Sequence, residues 1–269
     1  MKQTPHAGDV LADSEVSATL DHIAGAALES KTLTLHSLLH GARAVLFDAG
    51  GTLVHPDWER FARIAHEVAG RTLSDDDIRR ALANALYEAD TRLRAGDQPT
   101  PEMQRAGWVF RRMYAMLDFD EAKIEEIHHR INEEHAARHM WCGLDADAVR
   151  VVTDLKAAGL PVGVISNTED GRLVELLELV AIAAHFDFLI DSHVVGLRKP
   201  DTAIFNLALE RLRLPASEVV YVGDSYGHDI LAARRAGLRA ILVDPLNLYR
   251  DIETARIERL GELVCVSDA

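Results

Sequence analysis

Apolar positions change their period along the chain, and the changes divide it. Near the N-terminus, Val16, Leu20, Ile23, Ala24, Ala27 and Leu28 fall on one helical stripe behind Asp13 and Ser14, either of which can cap a helix. The stripe packs over the core or, alternatively, forms an interface with a partner or a second copy in a homodimer. Next, Ala44-Val45-Leu46-Phe47 is a continuous apolar run, as in a strand buried on both faces, and it stops at Asp48-Ala49-Gly50-Gly51-Thr52. Residues 57–144 carry helical periodicity with no convincing strand and break near 96–101 and 117–120, which predicts about four helices. From about residue 145, short apolar strands at 162–165, 188–190, 219–222 and 240–243 alternate with helical stretches near 146–158, 170–182, 201–212 and 227–236.

Such alternation implies right-handed crossovers and a parallel sheet covered on both faces. The expected fold is α/β: a doubly wound, Rossmann-like parallel sheet built from residues 41–56 and 145–269, with a helical cap domain, 57–144, inserted after the first strand. Residues 1–40 form a helical extension. The insertion is placed over the carboxyl edge of the sheet, where open α/β sheets bind ligands.

Composition narrows the chemistry. Of 269 residues, 48% are hydrophobic and 27% charged, which suits a folded globular chain rather than a disordered one. The net charge of −14 repels nucleic acid and anionic lipid, and no basic patch stands apart from it. Two cysteines, Cys142 and Cys265, sit far apart with no Cys-x-x-Cys, so neither a disulfide framework nor a thiolate zinc site is expected. No apolar run is long enough for a signal or membrane span, and the expected location is cytoplasmic.

Polar residues gather where the predicted strands end: Asp48 after the first, Ser166-Asn167 after the second, Gly223-Asp224 after another. Lys199 opens a later helix, and Asp229 follows Asp224 by five positions. In a parallel sheet these ends share one edge, so the groups can converge. The strings Phe47-Asp48-Ala49-Gly50-Gly51-Thr52-Leu53, Ile165-Ser166-Asn167-Thr168, Leu197-Arg198-Lys199-Pro200 and Val222-Gly223-Asp224-Ser225, continuing to Asp229, resemble in order the four motifs of the haloacid dehalogenase (HAD) superfamily, over about residues 43–245. The insertion between the first and second motifs looks like the C1-capped subgroup.

The resemblance implies a Mg2+-dependent phosphatase that acts through an aspartyl-phosphate on a small phosphorylated metabolite. Asp48 would be the nucleophile, Ser166 would hold the phosphoryl oxygens, and Lys199 would balance their charge. Gly51 and Asn167 would lie at the substrate. Asp48, the Gly50 carbonyl, Asp224 and Asp229 would form the metal set, with Asp229 either holding a metal-bound water or orienting Lys199. Thr52 is expected to fix the loop through a hydroxyl bond to the main chain.

One position departs from the pattern. Gly50 stands where these phosphatases carry a second aspartate that protonates the leaving oxygen and then activates water, general acid–base catalysis being worth typically ~10²–10⁴-fold. The loss can be met by an acidic leaving group, by a donor from the insertion or by absence of turnover. His55 is the nearest titratable candidate donor. Two further readings follow: a catalytically weak binding or regulatory protein, and a metal-independent dehalogenase, against which Asp224 and Asp229 argue. Lys123, set among glutamates, reads as a solvated helix face rather than a Schiff base. His128, Asn132, His135 and His139 share a helix face, at most a second metal site; Trp58, Trp108 and Trp141 read as core anchors.

Overall fold

Alternation within each strand sends neighbouring side chains to opposite faces, and the folded sheet uses both. The computed structural model describes residues 31–97, 100–103, 105 and 107–268. It divides into a unit of residues 33–265 and a small unit of residues 1–32 with 266–269, of which only the strand ends 31–32 and 266–268 are described. The helix expected over residues 16–28 lies outside the described residues.

The strands in chain order are β1 (Lys31–Leu35), β2 (Ala44–Phe47), β3 (Val54–His55), β4 (Gly143–Leu144), β5 (Val162–Ser166), β6 (Phe188–Asp191), β7 (Val219–Gly223), β8 (Arg239–Val243), β9 (Arg256–Ile257) and β10 (Val264–Asp268). The central sheet is six-stranded in the order β6-β5-β2-β7-β8-β9, with every pairing parallel. From β2 the chain builds outward through β5 and β6, then returns to the other side of β2 with β7. That reversal makes the carboxyl end of β2 the switch point at which a crevice opens.

The helices are α1 (Trp58–Ala69), α2 (Asp75–Ala95), α3 (Trp108–Met116), α4 (Glu121–Ala137), α5 (Ala148–Ala157), α6 (Leu173–Leu179), α7 (Ser192–Val195), α8 (Ala203–Leu212) and α9 (Ala232–Arg235). On one face of the sheet Val45, Phe47, Val164 and Val222 pack with Val151 and Leu155 of α5 and Leu176 of α6. On the other, Leu46, Tyr221 and Leu242 meet Phe205 of α8 and Ile230. Where a regular helix was expected over 227–236, the chain makes a π-helical turn, Tyr226–Leu231, before α9. Such widened turns recur at functional sites, and this one brings Asp229 back over the end of β7.

Helices α1 to α4 form the insertion and bury a core of their own, including Phe61, Ile64, Ile78, Met113, Tyr114 and Ile127. Helix α2 starts in a capping box, Ser74 with Asp77, and ends at Gly96 in the left-handed region, where the break near 96–101 was expected. The insertion leaves and rejoins the sheet through β3 and β4, which pair antiparallel with Val54 opposite Leu144 and His55 opposite Gly143. Strands this short carry no readable periodicity, and neither was expected.

Candidate active site

Register places the chemistry. Phe47 lies opposite both Val164 and Val222, so Asp48, Ile165 and Gly223 follow side by side at the sheet's carboxyl edge. The Asp48 amide donates to the Val222 carbonyl at 2.8 Å, which extends the sheet by one residue and sets the carboxylate at its rim. The turn beyond is closed by amides of Leu53 and Val54 on the Ala49 carbonyl, at 2.8 and 2.9 Å. Gly51 sits at φ +85°, and a Cβ there would fall 2.1 Å from Oδ2 of Asp224, so only glycine lets the two loops meet.

Lys199 is the hub. Its ammonium is 3% exposed and donates to Asp48 Oδ1 at 2.5 Å, Asp229 Oδ1 at 2.6 Å and the Tyr221 hydroxyl at 2.9 Å, which uses all three donors. Two buried carboxylates hold its pKa above the usual lysine range, against the effect of burial. Asp229 is fixed in turn, its Oδ2 accepting the Ser225 amide at 3.0 Å. Tyr221 stands within hydrogen-bond distance of the Ile165 carbonyl and of Asp229 Oδ1, both at 3.1 Å. Sequence reading missed Tyr221; its only signal was a hydroxyl within an otherwise apolar strand.

Asn167, expected at the substrate, is spent on Lys199. Its Nδ2 donates to the Lys199 carbonyl and its Oδ1 accepts the Lys199 amide, both at 2.9 Å. The loop after Ser166 is pinned from β6, where Asp191 accepts from the Thr168 hydroxyl, the Leu173 amide and the His193 amide. Ser166 itself is buried at the end of β5. Thr52 corrects an expectation: its hydroxyl is buried with no hydrogen-bond partner among the described residues, because the turn is already closed by main-chain bonds.

Oxygens of Asp48, Asp224 and Asp229 all lie within 4.8 Å of one another. Burial pushes the Asp48 carboxyl up to about 6, with Lys199 pulling down and Asp229 pushing further up. Asp224 is driven well above the carboxylate range by burial first, then by Asp48 and Asp229. Three acids facing one ammonium thus carry an excess of negative charge that a proton or a cation must meet. The donor set is all oxygen, which suits a hard divalent ion such as magnesium.

The insertion closes over this edge. A Cβ on Gly50 would lie 3.1 Å from Cζ3 of Trp141, so an indole occupies the space beside the position of the absent acid. Asp90 of α2, 1% exposed, accepts from the Ser225 hydroxyl at 2.8 Å, the Tyr226 amide at 2.6 Å and the Tyr249 hydroxyl at 2.6 Å. It therefore holds the loop that follows Asp224, and no sequence signal marked it beyond a carboxylate on an apolar helix face.

His135, His139 and Asp170 form a second cluster. His135 Nδ1 accepts the Met140 amide at 3.2 Å and His139 Nδ1 accepts the Trp141 amide at 3.1 Å. Each ring therefore carries its proton on Nε2, and His135 donates from there to Asp170 at 2.9 Å. With no lone pair at either Nε2, the pattern is a tie between α4 and the loop after β5, which Arg172 doubles through the His135 carbonyl at 2.9 Å.

A family model of haloacid dehalogenase-like hydrolases matches residues 42–237. The chain belongs to that family. Among HAD relatives, haloacid dehalogenase-like hydrolase domain-containing protein 3 of Danio rerio is 40% identical over 111 residues, covering 39% of this chain and 46% of that one. The glyceraldehyde 3-phosphate phosphatase of Methanothermobacter thermautotrophicus is 37% identical over 115 residues, covering 43% and 50%. The phosphoserine phosphatase of Thermus thermophilus is 31% identical over 117 residues, covering 44% and 47%. The chain thus spans about half the length of the curated relatives it matches. Solved HAD structures share the fold. The HAD-hydrolase YfnB from Bacillus subtilis, bound to magnesium, has a TM-score of 0.59 at 19% identity, over 82% of this chain and 96% of that one. An L-2-haloacid dehalogenase has a TM-score of 0.55 at 21% identity, with the same coverage. Among the described residues no helix is long and apolar enough to cross a membrane.

Proposed function

We propose that this HAD hydrolase is a magnesium-dependent phosphatase that moves a phosphoryl group from a small phosphorylated molecule to Asp48 and then to water. The reading is carried by the close approach of Asp48, Asp224 and Asp229 around one buried ammonium. Phosphatases of glyceraldehyde 3-phosphate and phosphoserine among the partial relatives support it. Asp48, Asp224 and the Gly50 carbonyl would hold the ion. Asp229, with one oxygen on the Ser225 amide and the other on Lys199, would orient Lys199 instead. Magnesium would supply positive charge against the attacking carboxylate and the phosphoryl oxygens.

The chain's own residues then have distinct tasks. Lys199 holds Asp48 in one orientation and lowers the repulsion between its carboxylate and a phosphate dianion. Asn167 fixes the Lys199 main chain so that the ammonium does not drift. Ser166 and neighbouring amides are placed at the edge where the phosphoryl oxygens would lie. An Asp48 oxygen attacks phosphorus, the ester oxygen leaves, and water later cleaves the aspartyl-phosphate. Helices α1 to α4 act as the cap that screens these steps from bulk water.

The test is hydrolysis of p-nitrophenyl phosphate by the full chain. Asp48→Asn is expected to lower turnover by more than ~10³-fold with circular dichroism unchanged. EDTA is expected to stop the parent and magnesium to restore it. Turnover retained in Asp48→Asn removes Asp48 as nucleophile, and indifference to EDTA favours the dehalogenase reading. A second reading, a binding protein with little turnover, is favoured by the Trp141 ring against Gly50; silence across a panel of phosphate esters would select it.

A further inference from the structure

We infer that the preferred substrate is an aryl phosphate, released as its phenolate. This rests on the phosphatase reading above and deepens it. Two independent features lead to it.

The first is a cavity of about 380 Å³ that reaches the site at Gly51 and Asp224. That volume suits a small organic ligand. Its walls include Trp58, Leu82, Leu86, Trp141, Leu144 and Tyr249; besides Asp224, the ionisable residues that line it are exposed Arg79, Glu258 and Arg259, Asp244, which is spent on the Leu248 and Tyr249 amides, and His55, which pairs with Asp145 at 3.5 Å. Arg79 stacks its guanidinium 5.7 Å from the Trp58 ring centre, which stiffens that wall. A sugar or glycerol moiety would give up water bonds against such walls and find few partners. A planar aromatic group gives up little, gaining indole and aliphatic contact.

The second feature is Gly50. With no carboxyl at this position to protonate the departing oxygen, and Trp141 against it, an ester whose alcohol leaves without a proton is the class that needs no replacement for the missing acid. A phenol does, since it ionises near pH ~10 as tyrosine does, whereas an alkoxide needs the acid.

In the step itself, an Asp48 oxygen bonds to phosphorus as the bond to the phenolic oxygen breaks, and that oxygen leaves with the electron pair. Water then attacks phosphorus, freeing the Asp48 carboxylate and inorganic phosphate. Its surplus proton goes to solvent and balances the phenolate.

The experiment compares kcat/KM of the full chain, with magnesium, for acetyl phosphate, a series of substituted phenyl phosphates, naphthyl phosphate and cyclohexyl phosphate. Acetyl phosphate is small and has an acidic leaving group, so it reports the phosphatase reading alone. Phenyl phosphate is expected to exceed cyclohexyl phosphate by at least ~10²-fold, with rates climbing steeply as the phenol becomes more acidic. Ala83→Trp, which fills the cavity from α2, is expected to lower the naphthyl-to-acetyl ratio of kcat/KM by ~10-fold. Acetyl phosphate turnover with phenyl and cyclohexyl esters equal, or with a flat dependence on leaving-group acidity, overturns the inference alone; a flat dependence would point to a donor such as His55. An unchanged ratio in Ala83→Trp removes the cavity from it. If that variant does not fold, the parent series still decides. Turnover of none of these esters overturns the phosphatase reading and the inference together.

Discussion

At the scale of single residues, the pair Gly50 and Trp141 sets what substitution can achieve. Restoring the absent acid by Gly50→Asp puts a Cβ 3.1 Å from the indole, and overpacking of this kind costs about 1–3 kcal/mol. Gly50→Asp alone is expected to lower the melting temperature and to gain little on alkyl phosphates. Combined with Trp141→Ala, it is expected to gain on alkyl more than on aryl esters, beyond the product of the single effects. Equal changes on both ester classes would refute a role for the missing proton. His139 offers a test by pH. Burial first, then the neighbouring His135 charge and Arg172, outweigh Asp170 and Glu175 and push its imidazole down to about 4, from 6.5 in a free side chain. Between those values the unfolded chain holds the additional proton, so stability rises with pH through the window and is lost as pH falls toward 4. The loss amounts to at most roughly 3 kcal/mol. Asp48, raised to about 6, acts in the opposite sense, so the comparison is between parent and His139→Gln. Urea unfolding across the window is expected to show a shallower slope in the variant.

At the scale of elements, α2 and the π-helical turn are one unit, joined by Asp90. Asp90→Ala would leave the Ser225 hydroxyl, the Tyr226 amide and the Tyr249 hydroxyl buried without an acceptor, a cost of about 3–5 kcal/mol. It is expected to raise the magnesium concentration needed for half-maximal rate, because Asp224 begins the loop that Asp90 holds; Asp90→Asn should lie between variant and parent. The elements themselves were largely legible. The run at 44–47 matches β2 to the residue, and the breaks read near 96–101 and 117–120 separate α2 from α3 and α3 from α4, whereas the break between α1 and α2 at residues 70–74 was not read. Apolar period is a local property, so the chain states it locally. The two-residue strands β3, β4 and β9 were not legible, since two positions define no period, and the π-helical turn differs from an α-helix only in its hydrogen bonding.

At the scale of the whole molecule, the site is a product of topology, and its legibility follows. Asp48, Ser166 and Asp224 were readable because strand ends in a parallel sheet must share an edge, whereas Lys199, on the loop before α8, was readable through the resemblance of its string. Tyr221, Asp90 and the Trp141 contact were not, because each depends on which remote surface packs against it. If magnesium binds the folded chain alone, its addition should raise stability by mass action, about 2.7 kcal/mol at a hundred times Kd. Thermal unfolding with and without the ion measures this, and Asp224→Asn should lose the gain; an equal gain in both would place the ion elsewhere. The paired β3 and β4 have a further consequence. His55 and Gly143 face each other across a single rung, so the 87 or so residues between them begin and end at one doorway. A chain built that way can exchange its whole helical insertion for another by two neighbouring splices, leaving the strand order of the central sheet untouched.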